Sequence, residues 1–182
     1  MKYIISIALI IIFIIASIAQ NKEKKKSESV QNQLVSLLKQ GRYDEFDTQV
    51  KDAYENGHLN SFNYNYMRMN RYILCSDKKN MDRIVKEFAT KNLRNIQKAS
   101  VFSTALIYYV SVSDRQMCSL CNQKIQQLKG NDDMKQTASL VYRIFVEKKK
   151  DDLAIVEEKL KTSSGPSKQF YKQLMQEILN LD

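Results

Sequence analysis

Four apolar residues, Phe46, Met81, Met117 and Leu153, stand 35, 36 and 36 residues apart. A second apolar set, Leu37, Tyr72, Tyr108 and Ile144, precedes each of them by nine. A recurrence of this length is too long for one helix and suits a repeating pair of helices joined by a tight turn. Each pair brackets a polar break: Gln40-Gly41-Arg42, Ser76-Asp77-Lys78, Ser113-Asp114-Arg115, and Glu147 to Asp151. The spacing therefore predicts a stack of helical hairpins. One such hairpin cannot bury its own apolar face, so its neighbours must cover it.

The composition supports helices. Four glycines and one proline, Pro166, leave few sharp turns for a β-rich fold. In the first hairpin, apolar Leu34, Leu37 and Leu38 stripe one helix, from Val30 to Gln40. Phe46, Val50 and Ala53 stripe the next, from Tyr43 to Asn56, at helical intervals. The second hairpin is read as Asn60 to Cys75 and Asn80 to Thr90, the third as Arg94 to Val112 and Asp114 to Leu128. The fourth runs from Asp132 to Val146 and from Asp151 to Lys161. Ser163-Ser164-Gly165-Pro166 is the clearest breaker in the chain. Beyond it, Phe170, Leu174, Ile178 and Leu181 form one more apolar face, which predicts a capping helix over 165–182.

Gly41-Arg42-Tyr43-Asp44-Glu45 resembles the hairpin turn of the tetratricopeptide (TPR) family, in which Gly, any residue, Tyr and two acidic residues often follow one another. The resemblance extends by its period over about residues 30–162, and the first hairpin carries the turn motif best. Where the family prefers a small residue, this chain has the large Phe46, Met81, Met117 and Leu153, and the family's closing proline is absent. The resemblance implies that the first helix of each hairpin lines a concave face. That face would present Asn63, Tyr66, Met67 and Asn70 from the second hairpin. Phe102, Ser103, Leu106 and Tyr109 would come from the third, and Ala138, Ser139, Tyr142 and Phe145 from the fourth. An aromatic and amide-bearing trough of this kind suits an extended peptide or a partner's helix. The same residues also suit plain packing between adjacent hairpins.

The N-terminus is of a different character. Tyr3 to Ala19 carries no charge and is mostly Ile, Leu, Ala and Phe. At the helical rise it reaches about 26 Å, enough for a thin bilayer core, so residues 1–19 are expected to be a transmembrane anchor or an uncleaved signal. Lys22, Lys24, Lys25 and Lys26 follow in a basic linker over 20–29 and outweigh Lys2 on the other flank. By the positive-inside rule this expectation gives a single-pass cell-membrane protein with a cytoplasmic body. Ser17-Ile18-Ala19 before Gln20 also fits a signal-peptidase site, so an exported, extracytoplasmic body stays open.

The formal charge of +9 does not point to nucleic acid, because the lysine knots are not interleaved with aromatics. Arg68 and Arg71 share a helix and suit acidic partner groups, although a solvated face is the simpler account. Cys118 and Cys121 lack the second ligand pair that zinc requires and read as core thiols. His58 is the one histidine, and it lies in a turn away from any nucleophile. No catalytic constellation, metal site or cofactor loop is expected. The fold class is thus all-α: a single N-terminal transmembrane helix, an α-solenoid of about four TPR-like hairpins over 30–164, and a C-terminal capping helix. The expected function is that of a membrane-tethered adaptor or assembly factor holding a protein or peptide in its groove. The alternatives are an exported helical-repeat binding protein and a self-associating scaffold, a homo-oligomer.

Overall fold

The computed structural model describes residues 25–149 and 151–180. The described residues form nine α-helices and no strand: α1 (Lys25–Lys39), α2 (Tyr43–Glu55), α3 (Ser61–Leu74), α4 (Lys78–Thr90), α5 (Asn95–Ser111), α6 (Arg115–Gln126), α7 (Asp132–Phe145), α8 (Leu153–Thr162) and α9 (Gly165–Leu179). They divide between Asn92 and Leu93 into two compact units, α1–α4 and α5–α9. α1 begins within the stretch read as a basic linker.

The turns inside the first three hairpins share one backbone device. Helix α1 ends where the Gly41 N–H donates to the Leu38 carbonyl (3.2 Å) and the Arg42 N–H to that of Leu37 (3.0 Å). In the second hairpin, Ser76 donates to Ile73 (3.1 Å) and Asp77 to Tyr72 (2.9 Å). In the third, Ser113 donates to Val110 (3.1 Å) and Asp114 to Tyr109 (3.0 Å). Each is a Schellman closure, which satisfies carbonyls that a helix end would otherwise leave bare. It needs a left-handed residue at its centre. Gly41 (φ 70°), Ser76 (φ 54°) and Ser113 (φ 57°) supply it. The residue after it begins the next helix: Asp77 accepts the Asn80 N–H (3.1 Å) and Asp114 the Met117 N–H (3.0 Å). The three connections span 40–42, 75–77 and 112–114 and are of equal length.

The first intrahelical bond after each turn identifies the equivalent anchors. Phe46 donates to Arg42, Met81 to Asp77, Cys118 to Asp114 and Val156 to Asp152, each at 3.0 Å. All four of these side chains are fully buried. The expected register therefore holds for the first two hairpins and slips later. In the third hairpin the anchor is Cys118, with the expected Met117 buried beside it. In the fourth it is Val156, while Leu153 is half-buried at the start of α8. In the third hairpin the slip follows the length of α5, 17 residues against 14 in α3, and in the fourth it follows the connection before α8, which runs over 146–152 and is longer than the others. A regular period in sequence cannot follow an insertion of this kind.

In the first unit each helix packs on the next. Leu34, Leu37, Leu38, Phe46, Val50, Ala53, Leu59 and Met67 close one apolar cluster over α1–α3. Each such side chain withdrawn from water contributes about 2 kcal/mol. Met81, Ile84, Val85 and Phe88 give α4 its single buried stripe. In the second unit α5 is buried nearly all round, on Val101, Phe102, Thr104, Ala105, Leu106, Tyr108 and Tyr109, as befits a helix flanked by both α6 and α7. Helix α8 packs chiefly on α9, which also reaches α7. The last helix thus completes a three-helix end, and Tyr171, Leu174 and Ile178 are its buried face.

Two expectations are corrected. No helix among the described residues is long and apolar enough to cross a membrane. The longest, α5, has 17 residues, short of the ~20 that span a bilayer, and most of the others are amphipathic with charged outer faces. The expected fold class, led by a single transmembrane helix, and the single-pass cell-membrane location are replaced by an all-α, helical repeat-like architecture. Residues 3–19, on which that reading rested, lie outside the described residues. A uniform four-hairpin solenoid gives way to three hairpins with like turns and a divergent three-helix end.

The turn geometry predicts opposite effects from opposite substitutions. Gly41→Ala places a Cβ at φ 70° and should cost about 1 kcal/mol, whereas Ser76→Gly and Ser113→Gly should each stabilise by roughly 0.5–1 kcal/mol in urea unfolding. Neutral Gly41→Ala together with destabilising serine-to-glycine changes would contradict the assignment.

Candidate functional site

Helix α3 carries most of the polar and aromatic chemistry of the first unit, and its neighbours sort that chemistry into stripes. Phe62 and Tyr66 are stacked (5.6 Å between centroids), and Phe62 reaches Phe88 of α4 (5.8 Å). Met67 joins the α1–α2 cluster. Between these stripes Asn70 is buried. Its amide donates to the Tyr66 carbonyl at 2.9 Å, and its Oδ1 has no partner among the described residues.

A third stripe faces α2. Tyr64, Arg68 and Tyr72 recur one helical turn apart, so their side chains lie in a column. Tyr54 of α2 stacks on Tyr64 with centroids 4.4 Å apart. The Arg68 guanidinium sits 5.2 Å from the Tyr64 centroid and 5.7 Å from that of Tyr72, and donates to the Tyr72 hydroxyl at 2.7 Å. Beside the column, Arg71 donates to Asp47 at 2.9 Å and lies 5.6 Å from the Tyr43 ring. Burial pushes the Cys75 thiol up, and it pushes the Tyr43 hydroxyl up as well.

The residues expected to line a trough fall into two groups. Tyr66, Met67, Asn70, Phe102, Leu106 and Tyr109 are buried, as is Ala138. Asn63, Ser103, Ser139, Tyr142 and Phe145 are half-buried and keep some surface. Asn63 to Asn70 belong to the first unit and the rest to the second.

Some polar residues in these units escaped the sequence reading. Asp152, at the head of α8, is buried and paired with half-buried Arg143 at 2.8 Å. Lys159 reaches Asp133 at 3.2 Å, and the Thr137 and Tyr171 hydroxyls lie 3.2 Å apart. No sequence interval announces such pairs, because they depend on how α7, α8 and α9 meet. The Tyr64-Arg68-Tyr72 spacing, by contrast, was there to be read.

Cys118 and Cys121 are both buried, and burial above all pushes the Cys118 thiol up to about 12 and the Cys121 thiol further still. Among the described residues no group of three or more His, Cys, Asp or Glu is placed to hold a metal ion. No family model, no curated protein and no solved structure matches the chain.

The thiols supply a direct check. A raised pKa keeps a thiol protonated, hence unreactive, at any pH below it. In the folded protein at pH 8, an aromatic disulfide reagent should modify Cys118 and Cys121 at least ~100-fold more slowly than a free cysteine, and all three cysteines should react once the chain is denatured. Rapid modification of two or more thiols in the folded state would contradict the burial described.

Proposed function

We propose that this chain is a non-catalytic helical-repeat binding module, TPR-like in the register of its first hairpins, that holds a protein or peptide partner. The observation that carries the reading is the uneven burial of the first helices. They seal most of their aromatics inside, yet leave Asn63 on α3 and Ser139, Tyr142 and Phe145 on α7 with surface to spare. Amides that clamp a backbone and rigid aromatic area are each what peptide-binding surfaces use. The turn at Gly41-Arg42-Tyr43-Asp44-Glu45 and its geometric recurrence at Ser76 and Ser113 support the TPR-like register. The fully buried members of the expected trough contribute to binding by fixing the helices that carry the exposed ones.

Alanine at Tyr66 or Tyr109 would damage the core, so the test uses the part-exposed positions. A photo-crosslinking residue is placed at Asn63, Tyr142 or Phe145 of the full chain in intact cells. Exposed Lys51 and Gln123, on second helices, serve as controls. The first set should give a discrete heterologous adduct that the controls lack. No adduct, or the same adducts from both sets, rejects the reading. An adduct of two copies of this chain replaces it with self-association.

A further inference from the structure

Three arginines among the described residues are half-buried: Arg68, Arg71 and Arg143. Two of them are neutralised within their own unit, Arg71 by Asp47 at 2.9 Å and Arg143 by Asp152 at 2.8 Å. Arg68 has no carboxylate within ion-pair distance among the described residues. Its contacts are the Tyr64 and Tyr72 rings and the Tyr72 hydroxyl. A half-buried cation left without a counter-charge is costly to keep, whereas ring faces restrain its plane and rotamer before anything binds. The guanidinium carries more N–H donors than its one hydrogen bond uses.

We infer that Arg68, held between Tyr64 and Tyr72, is a docking point for the side-chain carboxylate of an Asp or Glu in a partner peptide. This rests on the partner-binding reading above and supplies its chemistry. A planar fork matches a carboxylate with two parallel hydrogen bonds, and the restraint by the rings lowers the entropy lost on binding. The site offers a single uncommitted positive charge, because Arg71, the next cation along α3, is already spent on Asp47. That suits a monoanion better than a phosphate dianion. The aromatic faces do not suit a nucleobase, since Tyr64 is covered by Tyr54 on the one hand and Arg68 on the other. Tyr54 is 42% exposed and offers apolar area beside the carboxylate, so the partner residue next to the acid is expected to be apolar. The chain's net charge of +9 draws such a peptide in.

The test titrates the full chain with a blocked hexapeptide of alternating Glu and Leu, its Gln-for-Glu counterpart, inorganic phosphate, and phosphatidylserine vesicles. Side-chain NMR of the arginine Nε–H groups reports the site. The Glu peptide should shift the Arg68 signal saturably, and the Gln peptide should bind roughly tenfold more weakly or worse. Folded Arg68→Gln should lose about tenfold or more in affinity, and Arg68→Lys, which keeps the charge but not the fork, a smaller part of that. Arg68→Lys alone decides the matter should Arg68→Gln fail to fold. Equal affinity for the Glu and Gln peptides, unchanged affinity in the Arg68 variants, or binding of phosphate or the vesicles as tight as that of the Glu peptide would each overturn the proposal. A partner crosslinked at Asn63 whose capture ignores Arg68→Gln would sink this inference alone. Glu-peptide binding in a chain that captures no partner would sink the broader reading instead.

Discussion

Each of the first three hairpins depends on a helix that stops abruptly and a second that starts at once. A helix end exposes carbonyls that cannot be left bare against a packed neighbour. A left-handed residue turns the backbone back on itself, so that two N–H groups cap those carbonyls and the next residue already opens the following helix. The side chain four residues into that helix then falls against the helix just ended. Phe46, Met81 and Cys118 occupy this place in the first three hairpins, and all are buried. Without the turn the anchor would point elsewhere, and the apolar stripes of the pair would not meet.

The fourth hairpin shows what happens when the device is relaxed. Its connection, over 146–152, is longer and places Lys148 at φ 58°, in a charged stretch that holds no glycine. Helix α8 therefore turns to α9 for its main packing, and side-chain ties to α7, Arg143–Asp152 and Lys159–Asp133, hold what the short turn holds elsewhere. Val156 still takes the anchor position and is buried. The anchor survives a change of connection that its spacing in sequence does not.

Much of this architecture was legible in advance. Apolar intervals gave the helices nearly to their ends, because a residue that faces the core at one turn must be matched at the next. Cys118 and Cys121 were rightly placed inside by the same logic. The left-handed serines were not visible. Ser76 and Ser113 adopt a conformation that glycine takes at far lower cost, and only the packing on either side enforces it. The candidate site was half-legible. The Tyr64-Arg68-Tyr72 spacing is a local property of α3, but Tyr54 and Asp47 arrive from α2 through tertiary packing. Which expected trough residues keep a surface is likewise a matter of neighbours. Tyr109 and Tyr142 look alike in sequence, yet one is sealed and the other half-open.

These constraints bear on function through rigidity. The restrained Arg68 of α3 can serve the proposed docking role only if its helix does not move to receive the partner. The central claim is that the same left-handed closure recurs in three hairpins, and backbone NMR at Ser76 and Ser113 tests it most directly. A strong intraresidue amide-to-Hα cross-peak at both serines, with carbon shifts typical of positive φ, is the predicted result. Helical or extended shifts at either serine would show that the hairpins are joined in different ways, and the shared register would be lost.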